Sequence, residues 1–307
     1  MRALGVASAA ALTAACVPAA VEPENVAVVQ PLATPAPAPA PAPTAPSPAA
    51  EPAGLTTFVF AGELTQGGWI RGQAPGGTVS ARLDGEPLTL DSQGRFFAAF
   101  DRDAGPSATL SATLRDGTMT ESPVTVSPRA WNIERVNVAR SPGGASEAFM
   151  RRRRPELERI AAARAVETGT EGWRQDFAWP ATGRISGRFG SQRVYRGEPG
   201  SYHSGLDIAT GESGTPFAAP ADGVVVLAAQ EPFSLEGNLI IIDHGMGLNS
   251  AFLHASEIVV REGQSVRQGQ MIGRIGASGR ATGPHLHWSL MWRGARLDPL
   301  LFLGPMG

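Results

Sequence analysis

The chain is 307 residues long, enough for two ordinary domains, and its formal net charge of −2 argues against a polyanion-binding protein. All 26 basic residues are arginine. The single cysteine, Cys16, excludes an intramolecular disulfide and any thiolate metal site downstream of it.

Residues 1–20, "MRALGVASAAALTAACVPAA", pair a positive Arg2 with a short Ala/Leu/Val run, the pattern of an export signal. The run is too short to cross a bilayer as a stable anchor. Ala14 and Ala15 precede Cys16, which resembles a lipoprotein signal whose cysteine is lipidated. Thr13 departs from it, because the usual leucine sits one place earlier at Leu12. Cleavage with release or lipidation with membrane attachment both follow export, and export implies a periplasmic location.

Residues 21–54 form an Ala/Pro-rich linker. Alternating proline in "PLATPAPAPAPAPTAPSPAAEPA" removes backbone donors and fixes φ, leaving polyproline II. At about 3.1 Å per residue such a segment reaches roughly 70 Å. A disordered linker of no fixed length fits the same composition.

Residues 55–128 are expected to be a small β-sandwich, immunoglobulin-like in strand number. "TTFVFAGEL", "GWIRGQA", "TVSARLDGEPLTL", "RFFAAF", "ATLSATLRDGT" and "SPVTVSP" read as strands, the third as two, with Asp84-Gly85 and Asp116-Gly117 at tight hairpins. No cluster of titratable groups marks a site here. Residues 129–180 connect the halves, and "PELERIAAARAVE" predicts a helix over 155–167 with Pro155 in its first turn. The run Arg151 to Arg154 before it reads as a solvated face or a contact for an anionic surface.

From 181 to 303 the chain is β-rich again, and all five histidines lie there: His203, His244, His254, His285 and His287. In "HSGLDIA" an extended strand would hold His203 and Asp207 about 13 Å apart, so a turn at Ser204-Gly205 must bring them together. In "GPHLHWSL", residues i and i+2 of a strand share a face with Cα atoms about 6.6 Å apart. His285 and His287 therefore aim at one place. One of the two binding a metal leaves the other within reach of a bound water as a general base. Two histidines and a carboxylate, with one position open, make up a catalytic zinc set rather than a structural one.

Those segments, with "LHAS", resemble the three signature motifs of the lysostaphin/LytM-type peptidoglycan endopeptidases, zinc metallopeptidases of antiparallel β fold. The resemblance extends over about 180 to 302. It implies His203, Asp207 and His287 as Zn2+ ligands, and His254 and His285 as catalytic histidines. It also implies hydrolysis of peptidoglycan stem or cross-link peptides, with the D-Ala–diaminopimelate bond favoured by an envelope with an outer membrane. Some relatives have lost the catalytic set and regulate wall amidases instead, and completeness of the set here favours the enzyme. His244, at a hairpin turn, is expected to be structural. Tyr195 and Tyr202 receive no role.

Overall fold

The computed structural model describes residues 54–139 and 146–306. The signal, Cys16 and the Ala/Pro linker lie outside them. The described residues are mainly β with one α-helix, as the strand patterns lead one to expect. The described residues fall within one unit, Ala50–Gly307.

The first part holds seven strands: β1 (Val59–Gly62), β2 (Trp69–Gln73), β3 (Thr78–Leu83), β4 (Glu86–Leu88), β5 (Arg95–Ala99), β6 (Ser107–Leu114) and β7 (Met119–Thr125). They form two antiparallel sheets, β1-β2-β5 and β4-β3-β6-β7. The predicted third strand is indeed two, β3 and β4. They are joined where Asp84 and Gly85 both adopt positive φ, as a type I′ hairpin turn requires. In the immunoglobulin constant arrangement the fourth strand joins the first, second and fifth, whereas here β4 pairs with β3.

The connector contributes β8 (Ile133–Val136) and α1 (Glu147–Arg164). The helix differs from the predicted 155–167: it starts eight residues earlier, because Ser146 caps it by accepting from the Phe149 amide at 3.1 Å. Pro155 therefore lies inside it. The arginine run belongs to the helix too. Arg153 is buried and forks onto both Glu236 oxygens at 2.6 Å, while Arg151 pairs with Glu147. The capped turn and this fork hold the segment helical across the proline.

The remaining strands are β9 (Arg184–Gly187), β10 (Gln192–Tyr195), β11 (Glu198–Tyr202), β12 (Leu206–Ala209), β13 (Pro216–Ala218), β14 (Gly223–Phe233), β15 (Gly237–Asp243) and β16 (Leu248–Ala255). They continue with β17 (Glu257–Ile258), β18 (Ser265–Val266), β19 (Met271–Arg274), β20 (Leu286–Trp292) and β21 (Ala295–Leu297). The main sheet runs β18-β14-β15-β16-β20-β12-β9, all antiparallel, with β21 added to β20. β8 pairs in parallel with β10, so the connector extends the smaller β11-β10-β8 sheet.

Strand alternation assigns the two faces. Ile240, Ile242, Leu286, Trp288 and Leu290 face a core that continues into the seven-stranded part. There Trp69 donates to the Leu301 carbonyl at 3.0 Å, and its ring lies 5.3 Å from that of Phe302. On the other face Leu227, Ala229, Leu239, Ile241 and Ala251 pack beneath Ala163 and Ile160 of α1. The "NLIII" run is buried on both faces because the helix covers one of them. Each such aliphatic side chain contributes about 1.5–3 kcal/mol on burial. The helix covers the β14–β16 end of this face, and the polar side chains of β12 and β20 continue it.

Candidate metal centre

Asp207 on β12 stands directly opposite His287 on β20, and the next pairing of His287 is to Leu253 on β16. His203 precedes β12 across the Ser204-Gly205 break that the sequence required. The three side chains converge. His203 Nε2 lies 3.0 Å from Asp207 Oδ1, His287 Nδ1 lies 2.8 Å from the same oxygen, and the two nitrogens are 3.1 Å apart. Their side chains are 24%, 19% and 12% exposed, so the cluster is neither sealed nor on open surface.

The chemistry of this donor set fits a cation. A tetrahedral ion bound at about 2.0–2.1 Å needs neighbouring donor atoms about 3.3 Å apart, slightly wider than the triangle observed. Tautomers agree: His203 Nδ1 lies 3.1 Å from the Arg188 carbonyl, so it carries the proton and Nε2 presents a lone pair. Three such atoms facing one another need a positive charge between them, a metal ion or, without one, a proton shared with Asp207.

The remaining histidines of the motifs stand beside this triangle. His285, just before β20, places Nε2 3.8 Å from Asp207 Oδ1, and its Nδ1 donates to the Gly283 carbonyl at 2.9 Å. His254 donates from Nδ1 to the Ser278 carbonyl at 2.8 Å, and its ring centroid lies 5.0 Å from that of His285. In both rings Nε2 is the nitrogen left for proton traffic. His254 has φ of 66°, a left-handed conformation, and its amide donates to the Glu236 carbonyl.

Electrostatics separate the roles. Burial would raise the Asp207 carboxyl, but hydrogen bonds and charge from His203 and His287 hold it well below the carboxylate range. For His203, burial would lower the ring, and Asp207 overcomes that and raises it. Burial lowers both His254 and His287, which favours neutral imidazole at neutral pH.

His244 makes its contacts elsewhere. Its Nδ1 donates to the Asp222 carbonyl at 2.8 Å, and Nε2 accepts from Ser250 Oγ at 2.8 Å, which itself accepts from Trp288 Nε1. Fully buried, it is pushed down to about 4 by burial. Tyr195 and Tyr202 line a groove of about 1100 Å³ that also contains His203, Asp207, Arg193 and Arg280. Glu134 and Asn132, in and beside β8, complete its wall.

Several residues that shape the site carry no side-chain motif. Gly187 pairs with Asp207 in register, and a Cβ there would come within 2.3 Å of Asp207 Oδ2. A Cβ on Gly205 would come within 2.7 Å of His287 Nε2. The one available signal for Gly187 is a glycine inside the strand pattern "GRISGRFG", a mark of close approach. The carbonyls of Arg188, Ser278 and Gly283 leave no signal, since every residue has one.

Comparison with known proteins finds matches over the part of the chain that carries these residues. Residues 201–299 match the model of peptidase family M23. The peptidoglycan DD-endopeptidase ShyA of Vibrio cholerae serotype O1 is 40% identical over 127 residues, which cover 40% of this chain and 28% of ShyA. The lipoprotein NlpD/LppB homolog of Pseudomonas aeruginosa is 39% identical over 132 residues, 43% of this chain and 40% of that protein. The chain thus spans less than half the length of these curated relatives. A crystal structure of a candidate M23 peptidase from Pseudomonas aeruginosa superposes with a TM-score of 0.59 at 27% identity, covering 80% of this chain and 96% of the other. Through its C-terminal domain the chain belongs to peptidase family M23, of lysostaphin/LytM type.

Proposed function

We propose that the chain is an exported, zinc-dependent endopeptidase that hydrolyses peptide bonds in peptidoglycan stems or cross-links, the D-Ala–diaminopimelate link first among them. The observation that carries this reading is the completeness of the set. Three lone-pair donors face one another within 3.1 Å, and two further histidines stand beside them with one ring nitrogen each tied to a carbonyl.

His203, Asp207 and His287 would hold the zinc. Bound there, the metal supplies a Lewis acid that polarises a carbonyl and lowers the pKa of a bound water. With Nδ1 fixed by the Ser278 carbonyl and the ring kept neutral by burial, His254 can take a proton at Nε2. That proton would pass from the same Nε2 to the leaving amine. His285, with its Nδ1–H held by the Gly283 carbonyl, would stabilise developing negative charge when it also carries a proton at Nε2. The groove of about 1100 Å³ walled by β8, Tyr195 and Tyr202 would orient the peptide at His203 and Asp207.

Lipidation at Cys16 and membrane attachment rest on the sequence around Cys16, and a relative named as a lipoprotein is in keeping with them. An amidase-regulating role would suit a chain lacking one of the five site residues, and all five are present. The test is incubation of the purified mature chain with peptidoglycan, with chelator and with zinc restored, followed by mass analysis of the fragments. Cleavage that stops in chelator and returns with zinc is expected. Intact peptidoglycan under all conditions would favour the regulator, and cleavage in chelator would remove the metal from the reaction.

A further inference from the structure

A second cavity, of about 200 Å³, opens on the other side of His287 between α1 and β20. It holds about seven waters' worth of liquid volume, the scale of one amino-acid side chain rather than a polymer. Its walls are of two kinds. Leu157 and Leu253 are apolar, whereas Arg164, Arg296, Ser204 and Ser289 are not.

The charges on these walls do not balance. Arg153 and Glu236 also line the cavity, but they are paired with each other through both Glu236 oxygens at 2.6 Å, with Glu156 2.9 Å from Arg153. This leaves Arg164 and Arg296 as the cations there without a bonded carboxylate. Arg164 has no acidic partner among the described residues. Its Nη1 touches the Met291 sulfur, a weak acceptor, and its buried Nε has no partner. Arg296 likewise has none, its guanidinium lying 5.7 Å above the Tyr202 ring. Burial, with Arg296 adding to it, pushes Arg164 down to about 10, and the charge of Glu236 offsets this only in part. An enclosed guanidinium with unsatisfied N–H groups is costly unless an acceptor meets it, and the fork geometry of arginine matches a carboxylate.

We propose that this cavity is a subsite for a carboxylate carried on a short aliphatic stem of the peptide substrate, gripped by Arg164 and Arg296 while the apolar wall takes the stem. The proposal rests on the peptidase reading above and deepens it: the preferred substrate is an acidic peptide with a free carboxylate next to the bond held at His287. Arg164 comes from the helix of the connector and Arg296 from β21, so the subsite exists only when α1 is docked on the sheet.

The test is calorimetric titration of the full chain, zinc-loaded and carrying His254→Asn so that ligands stay whole. The ligands are cross-linked stem-peptide dimers with free carboxylates and the same dimers amidated. The free form is expected to bind about tenfold more tightly, as a charge-assisted contact warrants. Arg164→Gln with Arg296→Gln is expected to erase that preference while leaving the amidated dimer's affinity unchanged. Arg296→Gln alone, at an exposed position on β21, is expected to remove part of it. Equal binding of the two ligands by the parent protein, or a preference that survives both substitutions, would overturn the subsite. Succinate binding as tightly as the free dimer would make this a free-anion site and overturn the substrate assignment. Cleavage of the dimers by the unsubstituted chain is scored separately. Dimers bound with the charge preference but never cut remove the peptidase and keep the cavity, and dimers cut without any preference do the reverse.

Discussion

One face of the main sheet has two ends, and they obey the same strand geometry with opposite outcomes. Over β14 to β16 the residues that point to this face are Leu227, Ala229, Leu239, Ile241 and Ala251, and α1 covers them. Over β12 and β20 the equivalent positions are Asp207, His287 and Ser289, with His203 and His285 at the margins. The backs of both ends are alike, since Leu206, Ile208, Leu286 and Trp288 are as buried as Ile240 and Ile242. The difference teaches that the candidate metal centre is a local interruption of a core face, held rigid by an ordinary core behind it and a helix-covered core beside it. Catalytic groups on strands so braced keep their aim better than groups on loops.

The largest effect is expected from substituting the proposed proton acceptor His254, which reaches the polar end from the end of β16. His254→Asn suits the left-handed backbone, which asparagine tolerates. Hydrolysis should fall by about 10²–10⁴-fold, with bound metal retained at full stoichiometry. Full activity in this variant would take His254 out of the chemistry, and loss of the metal would make it a structural support.

At the covered end, Ile241→Ala removes a fully buried side chain and is expected to cost about 2–5 kcal/mol of stability. Chemical denaturation measures this. Metal content per folded molecule should not change, so a variant of normal stability that loses its metal would contradict the separation of the two ends.

The core behind the site has its own pH signature through His244. Its folded pKa, about 4, lies below the ordinary value of 6.5, so the unfolded chain takes up the proton first. Stability is therefore complete above about pH 6.5 and declines as pH falls towards 4, by at most about 3 kcal/mol. Thermal midpoints measured in chelator should show this slope, and His244→Gln should flatten it. An unchanged slope would assign the acid sensitivity to other groups.

The smallest effect is expected from Gly187→Ala, whose added methyl crowds Asp207 without removing a ligand. Metal affinity should weaken by about 10–100-fold, as for other groups that support ligands. Competition against a chromophoric chelator reads this, and an unaltered affinity would show that β9 can shift to make room.

Much of this was legible in the sequence because strands have a period of two. His285, Leu286 and His287 declare by spacing alone that two imidazoles share a face, and the Ser204-Gly205 break explains how His203 meets Asp207. The two aspartate-glycine hairpins and the division of the third run into β3 and β4 were equally readable. The helix was harder. Pro155 looks like a first-turn residue, but Ser146, earlier in the chain, already supplies the cap, and Arg153 is held by Glu236, 83 positions away. Long-range pairing of that kind has no local signature. The same holds for the carbonyls that set the tautomers of His203, His254 and His285, and for the left-handed backbone at His254.

The most direct measurement is a crystal structure of the full chain with diffraction recorded above and below the zinc absorption edge. The expected result is a single anomalous peak within bonding distance of His203 Nε2, Asp207 Oδ1 and His287 Nδ1, with His254 and His285 unbonded beside it. No peak there in zinc-loaded protein, or an ion held instead by His254 or His285, would contradict the assignment.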